Sequence, residues 1–196
     1  MLYIDKRGKN RYLDCSITVR DLSTEKGCVC MSQLKMYLYL QPSECEDSFN
    51  GFTYRCYNGT QADRDAWLEI CKTGELLDYE GNAFERYITS QEGYRQDLTF
   101  FVLDGEKPIA TITILDKQKR IAVLDREEML GYVHMVGVHS DYCGRGLGGF
   151  LNRIALAALW RIGCQGAWLT TDDWRIPAIR SYLRSGFRPV LYEDDM

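Results

Sequence analysis

Apolar and polar positions change their period several times along the chain, and each change marks an element. Over residues 33–40, Leu34, Met36, Leu38 and Leu40 alternate with Gln33, Lys35, Tyr37 and Tyr39, which predicts a strand with one apolar face. Apolar runs at 52–57, 98–103, 108–115, 130–138, 167–170 and 187–192 predict further strands. The turn Asp104-Gly105-Glu106-Lys107 joins two of them as a hairpin and so implies antiparallel neighbours. A helical period holds over 61–73, where Thr60 is placed to cap the first turn and Gly74 to end the last. It returns over 147–162, apolar on most faces and stopped at Gly163, which predicts a deeply packed helix, and over 175–185, with Pro177 in the first turn and Gly186 past the end. A weaker helix is expected between about 82 and 92. The succession describes an α/β domain of the α+β kind at 51–196. Residues 1 to about 50, turn-rich around 6–10 and 41–44, read as an extension packed on it.

Composition narrows the function more than the fold. At 196 residues, 45% apolar and 27% charged, the chain fits one globular domain plus an extension. Acids outnumber Lys and Arg by 28 to 24, so the bulk positive field of a nucleic-acid binder is lacking. The first residues carry no apolar core of signal-peptide type, and no run approaches the roughly 18 apolar residues of a membrane span, which predicts a cytoplasmic protein with no membrane partner. Its eight cysteines are then expected as reduced thiols. Cys28-Val29-Cys30, with Cys15 and Cys45 apart from it, lacks both the spacing and the histidine of a zinc knuckle, so no metal site is expected.

One stretch carries chemistry directly. Val138-His139-Ser140-Asp141-Tyr142-Cys143-Gly144-Arg145-Gly146-Leu147-Gly148-Gly149 joins an apolar strand to a long helix through a glycine-rich turn. Such a turn crowds backbone N–H groups together, and the helix after it directs the positive end of its dipole at the same point, a cradle for phosphate. The spacing Gly144-x-Gly146-x-x-Gly149 also satisfies the dinucleotide pattern G-x-G-x-x-G, with Asp172 or Asp173 as ribose acid. Context opposes that reading: residues 139–143 separate the strand from the first glycine, 24 residues remain after Asp172, and a hairpin lies upstream.

The same turn resembles the acyl-CoA signature R/Q-x-x-G-x-G/A of the GNAT superfamily of N-acyltransferases. About forty residues later Ala178-Ile179-Arg180-Ser181-Tyr182-Leu183-Arg184-Ser185-Gly186-Phe187 resembles that superfamily's second signature, A-I-x-L-Y-x-K-x-G-F. The chain departs from the pattern at Cys143, where Arg or Gln is usual, and at Arg175, where Asn is often found. The resemblance implies a GNAT-like mixed, mostly antiparallel sheet flanked by helices, and transfer of an acetyl group from acetyl-CoA, a co-substrate needing no metal, to a primary amine. It further implies that Cys143, Gly144, Arg145, Gly146, Leu147, Gly148 and Gly149 hold the pyrophosphate, with Arg145 and Arg175 supplying charge. Backbone groups of Val136 and Val138 would pair with the pantetheine amides.

Tyr182 matches the tyrosine that protonates the departing thiolate in that family. His134, expected on the same face as Val136 and Val138, stands where some members carry a base. It reads equally as a strand histidine satisfied by a backbone partner. Tyr132 occupies the position of a Glu in other members, Gly137 fits a bulge or a packing contact, and His139 reads as a solvated loop residue. The acceptor, a small-molecule or peptide amine, is not identified by any motif in the variable segments at 57–96 or in the extension, and the acidic stretches at 75–80 and 125–128 are expected as solvated faces. A catalytically silent acyl-CoA sensor is the alternative from another class. Chains of this family usually finish with two strands after Gly-Phe, whereas nine residues follow Phe187 here. The strand at 33–40 is therefore expected to enter the sheet beside 187–192 or 167–170 in place of the missing one.

Overall fold

The computed structural model describes residues 2–4, 10–12, 33–42, 44–74, 76, 82–123 and 126–190, with the backbone alone for 2–4, 10–12, 117–123 and 126–129. The stretch at 6–9, Cys15, Cys28, Cys30, the acidic side chains at 75–80 and 125–128, and the end of the last expected strand lie outside the described residues. Residues 1–30 form one compact unit, in which β1 (Leu2–Ile4) pairs antiparallel with β2 (Asn10–Tyr12). Residues 31–196 form the other.

The larger unit is built on an eight-stranded sheet. In chain order its elements are β3 (Gln33–Tyr39), β4 (Ser48–Phe49), β5 (Phe52–Cys56), α1 (Gln61–Thr73), β6 (Thr99–Asp104), β7 (Lys107–Val123), β8 (Arg126–Val138), α2 (Leu147–Arg161), β9 (Gly166–Asp172), α3 (Ile176–Arg184) and β10 (Arg188–Pro189). The strand order is β10-β3-β9-β8-β7-β6-β5-β4, antiparallel throughout except for the parallel pair β8 and β9. The expected mixed, mostly antiparallel sheet is found. So is the insertion of the early strand: β3 pairs along its whole length with β9, from Gln33 opposite Asp172 to Tyr39 opposite Gly166, and takes β10 on its other edge. Its alternation is kept, since Leu34, Met36, Leu38 and Leu40 join the main core.

Two expectations change. The hairpin of β7 and β8 runs well past the apolar cores of its strands, to Val123 and Arg126, because backbone pairing continues where the alternation has faded. The helix expected over 82–92 is Ala83 and Phe84 followed by a π-helical turn, Glu85–Thr89, in which Ser90 N–H reaches back to Glu85 O.

Helices cover both faces. On one, α2 and α3 pack Phe150, Leu151, Ile154 and Tyr182 against Met36, Ile112, Ile114, Val133 and Leu169. Gly131 sets how close α2 comes, because a Cβ there would lie 2.1 Å from Leu159 Cδ2 and 2.9 Å from Cys164 Sγ. On the other, α1 and the π-turn bury Trp67, Ile70 and Ile88 with Phe101, each fully buried apolar side chain contributing about 1.5–3 kcal/mol. The start of α1 is anchored twice: Thr60 Oγ1 accepts from Asp63 N–H, and buried Asp63 receives both arms of Arg55 at 2.6 and 2.8 Å. That guanidinium holds the Asp63 carboxyl below the usual range.

Candidate functional site

Beyond their first contacts the two parallel strands part. Among the described residues β8 and β9 pair only at Leu130, Gly131 and Tyr132, opposite Gly166, Ala167 and Trp168, although β8 continues to Val138 and β9 to Asp172. The backbone edges of 133–138 and 169–172 therefore face a split between the strands. A strand-like ligand can use such an edge.

The mouth of the split is the glycine turn. After a short 3-10 turn, Ser140–Tyr142, Gly144 and Gly146 take φ of 79° and 82°, the left-handed region that favours glycine. Cys143 N–H is bonded to Ser140 O, and those of Gly149 and Phe150 to Gly146 O. The N–H groups of Gly144, Arg145, Gly146, Leu147 and Gly148 have no acceptor among the described residues, and they cluster where the dipole of α2 is positive. Arg145 is exposed, with its guanidinium 4.7 Å over the Tyr142 ring and one nitrogen 3.3 Å from Asp141 O. Arg175 sits at the start of α3, its Nε 2.9 Å from Asp172 Oδ2 and its guanidinium 4.3 Å over Trp174. Its charge acts on Tyr182, against the effect of burial on that phenol.

A bulge decides which side chains share a face. Thr113 lies opposite His134 and Thr111 opposite Gly137, so two residues of β7 span three of β8, and Met135 takes φ of 50°. The extra residue reverses the alternation. His134 consequently faces the α1 side with Tyr132, while Val136 and Val138 pack on the α2 side, contrary to the expectation of one shared face. Gly137 faces the α1 side, where a Cβ would lie 2.9 Å from Leu76 and 3.2 Å from Ile70, so it is a packing glycine beside the bulge.

His134 Nε2 lies 2.7 Å from the backbone oxygen of Tyr87, the middle residue of the π-helical turn. A carbonyl only accepts, so this nitrogen carries the proton in neutral imidazole and Nδ1 is left with the lone pair. Tyr182 on α3 is 6% exposed and lies across the sheet from His134, against Phe187 at 5.8 Å between ring centroids. Burial pushes its phenol well above the ordinary tyrosine value, with nearby Tyr132 adding to the rise and Arg175 opposing it.

His139 departs from its reading as a solvated loop residue. It is 6% exposed, its Nδ1 accepts from Asp141 N–H at 3.2 Å, and its Nε2 lies 3.3 Å from Glu69 Oε1 on α1. It thus ties the loop ahead of the glycines to the opposite helix. The available signal was its position two residues before Asp141, where a side chain can cap its own turn. Among the described residues no three His, Cys, Asp or Glu side chains are placed to hold a metal, and no helix is long and apolar enough to cross a membrane.

Comparison with known proteins bears on this arrangement. The sequence pattern of the Acetyltransferase (GNAT) family matches residues 63–187. No curated protein matches the chain. Among solved structures it is similar to a GCN5-related N-acetyltransferase from Sphaerobacter thermophilus, at 18% identity and a TM-score of 0.63 over 81% of this chain and 48% of that one. It also resembles a chain of the NatC complex bound to Gag peptide and CoA, at 22% identity and a TM-score of 0.55 over 71% and 86% of the two chains. A third likeness is to an aminoglycoside acetyltransferase from an uncultured soil metagenomic sample in complex with trehalose, at 13% identity and a TM-score of 0.54 over 75% and 93%. The chain spans about half the length of the Sphaerobacter protein. Likenesses at these identities concern the fold, whereas the family pattern covers most of the chain, from α1 through the glycine turn to Phe187: the chain belongs to the GNAT superfamily of acyl-CoA-dependent N-acyltransferases.

Proposed function

We propose that the protein transfers an acetyl group from acetyl-CoA to a primary amine. The observation that carries this reading is the continuous path from the left-handed turn at Gly144 and Gly146, along the unpaired edge of β8, to the buried phenol of Tyr182. The turn from Cys143 to Gly149 receives the pyrophosphate on its N–H groups, with Arg145 as the flanking cation. Backbone groups of Val136 and Val138 pair with the two amides of the pantetheine arm, as a neighbouring strand would. Arg175, already paired with Asp172, contributes charge near Tyr182.

The chemistry then places its demands on two side chains. An alkylamine of pKa near 10 is about one part in a thousand neutral at pH 7, so deprotonation costs roughly 4 kcal/mol before attack. His134, oriented through Nε2 on Tyr87 O, is the side chain proposed to take that proton, directly or through water. The amine nitrogen attacks the thioester carbonyl carbon to give a tetrahedral intermediate; as it collapses the C–S bond breaks, the thiolate takes the Tyr182 hydroxyl proton, and the proton shed by the product nitrogen returns through water to the Tyr182 phenolate. Burial favours the protonated phenol, so Tyr182 is a proton donor throughout the neutral range.

Calorimetry with acetyl-CoA tests the site. Gly146→Asp forces a Cβ against the Phe49 ring and adds a negative charge to the turn that receives the pyrophosphate, and should abolish binding; undiminished affinity in the folded variant refutes the assignment. CoA release with a panel of amines, including polyamines, aminoglycosides and peptide N-termini, then separates an enzyme from a silent acyl-CoA sensor.

A further inference from the structure

The closed end of the split is formed by side chains to which the transfer reaction assigns no step. At the last paired rung, Tyr132 stands opposite Trp168, with ring centroids 4.2 Å apart. Its hydroxyl lies 3.0 Å from that of Thr170, two residues further along the departing strand. The phenol therefore leans across the start of the gap on the face that carries His134, and ties together two strands whose backbones no longer pair. On the opposite face Tyr182 closes the same region, near enough for Tyr132 to oppose its ionisation. Behind the rung, on the α2 face, Leu159 and Cys164 pack close over Gly131.

On the acyl-CoA reading, a thioester held by Val136 and Val138 would place its carbonyl beside the bulge at Met135 and direct its acyl chain toward this closed end. We propose that Tyr132, latched to Thr170 and backed by Trp168, is the wall that restricts the donor to acetyl-sized acyl groups. The inference rests on the acyl-CoA reading above and adds to it which residue sets donor size. A methyl group fits short of the wall. Each further methylene has to displace a ring fixed by both a stacking contact and a hydrogen bond between strands. Pockets of this kind discriminate by about 10–200-fold per methylene.

The experiment is calorimetry on the full chain with acetyl-CoA and n-butyryl-CoA, which needs no knowledge of the acceptor. Butyryl carries two further methylenes, so the wild type should bind acetyl-CoA at least about 100-fold more tightly. Tyr132→Val, which keeps a strand-forming residue but removes the ring, should bring the two affinities within roughly threefold of each other, through a gain for butyryl-CoA. Thr170→Val retains the volume and removes the latch, and should move the ratio part of the way. It carries the test if Tyr132→Val does not fold. Equal affinities in the wild type, or an unchanged ratio in the folded variants, overturn the proposal. Failure of both thioesters to bind the wild type overturns the acyl-CoA reading itself.

Discussion

Placing alanine at each of the two left-handed glycines of the turn separates backbone strain from steric conflict. At Gly144, φ is 79° and a Cβ would meet nothing within 4 Å, so Gly144→Ala adds only conformational strain. An L-residue in that region loses about 1–2 kcal/mol. At Gly146, φ is 82° and a Cβ would lie 3.2 Å from Phe49 Cζ and 3.3 Å from Cε1. Phe49 is not free to yield far, because Phe150 lies 5.4 Å away between centroids and the Arg153 guanidinium 4.9 Å above its ring. Overpacking adds about 1–3 kcal/mol, for a total of roughly 2–5 at Gly146. For a chain of this size each kcal/mol lowers Tm by about 2–4 °C. Asparagine tolerates the left-handed region, so Gly144→Asn should recover most of the loss at that position. Urea unfolding followed by tryptophan fluorescence measures all three variants. Equal losses at the two positions, or full stability in Gly144→Ala, would refute the assigned geometry of the turn.

Other expected outcomes follow from particular contacts. Tyr182→Phe should lower kcat by about 100-fold or less while acetyl-CoA affinity stays nearly unchanged, since a thiol of pKa about 8.5 already leaves well; unchanged turnover with a chemistry-limited acceptor assigns Tyr182 to packing alone. With His134 as base, activity falls as acid protonates the imidazole, and that limb of the pH–rate profile should vanish in His134→Ala; a limb that persists identifies another base. Asp63→Asn should cost about 1–3 kcal/mol at neutral pH. Because the Asp63 carboxyl is depressed in the folded state, its contribution is complete above the ordinary aspartate value and lost as pH falls through the folded one, so the gap between wild type and variant should close below about pH 4; a gap constant down to pH 3 in thermal scans contradicts this. A chain beginning after residue 41 lacks β3 and should be insoluble or strongly destabilised, an expectation overturned by a soluble product with wild-type thermal stability.

The fold was legible wherever one face of an element is apolar and the other is not. Leu34, Met36, Leu38 and Leu40 announce β3, and Thr60 and Gly74 mark the ends of α1, because those signals are local. The turn from Cys143 to Gly149 was readable for the same reason, since left-handed conformations favour glycine. The bulge at Met135 was not. From Tyr132 to Val138 both faces of β8 carry apolar residues, so alternation gives no sign of an inserted residue, and His134 was assigned to the wrong face. The π-turn at Glu85–Thr89 is stabilised by burial of Ile88 and by Tyr87 O receiving His134, neither of which a helical period registers. His139 finds its partner in Glu69, 70 residues away in the chain.

The position of β3 governs the order in which the molecule can be assembled. It is the first strand of the main sheet to leave the ribosome, yet its partners are β9 and β10, and Val190 N–H closes on Lys35 O at 2.9 Å. At synthesis rates of 5–20 residues per second, roughly ten seconds separate β3 from the strands on either side of it. Through that interval an apolar strand is exposed with both backbone edges unpaired, a template for intermolecular pairing. Contacts of such long sequence separation slow folding. A permuted chain that carries residues 33–40 after residue 190 would convert the most distant pairing in the sheet into a hairpin. It should refold faster and aggregate less during synthesis while reaching the same sheet.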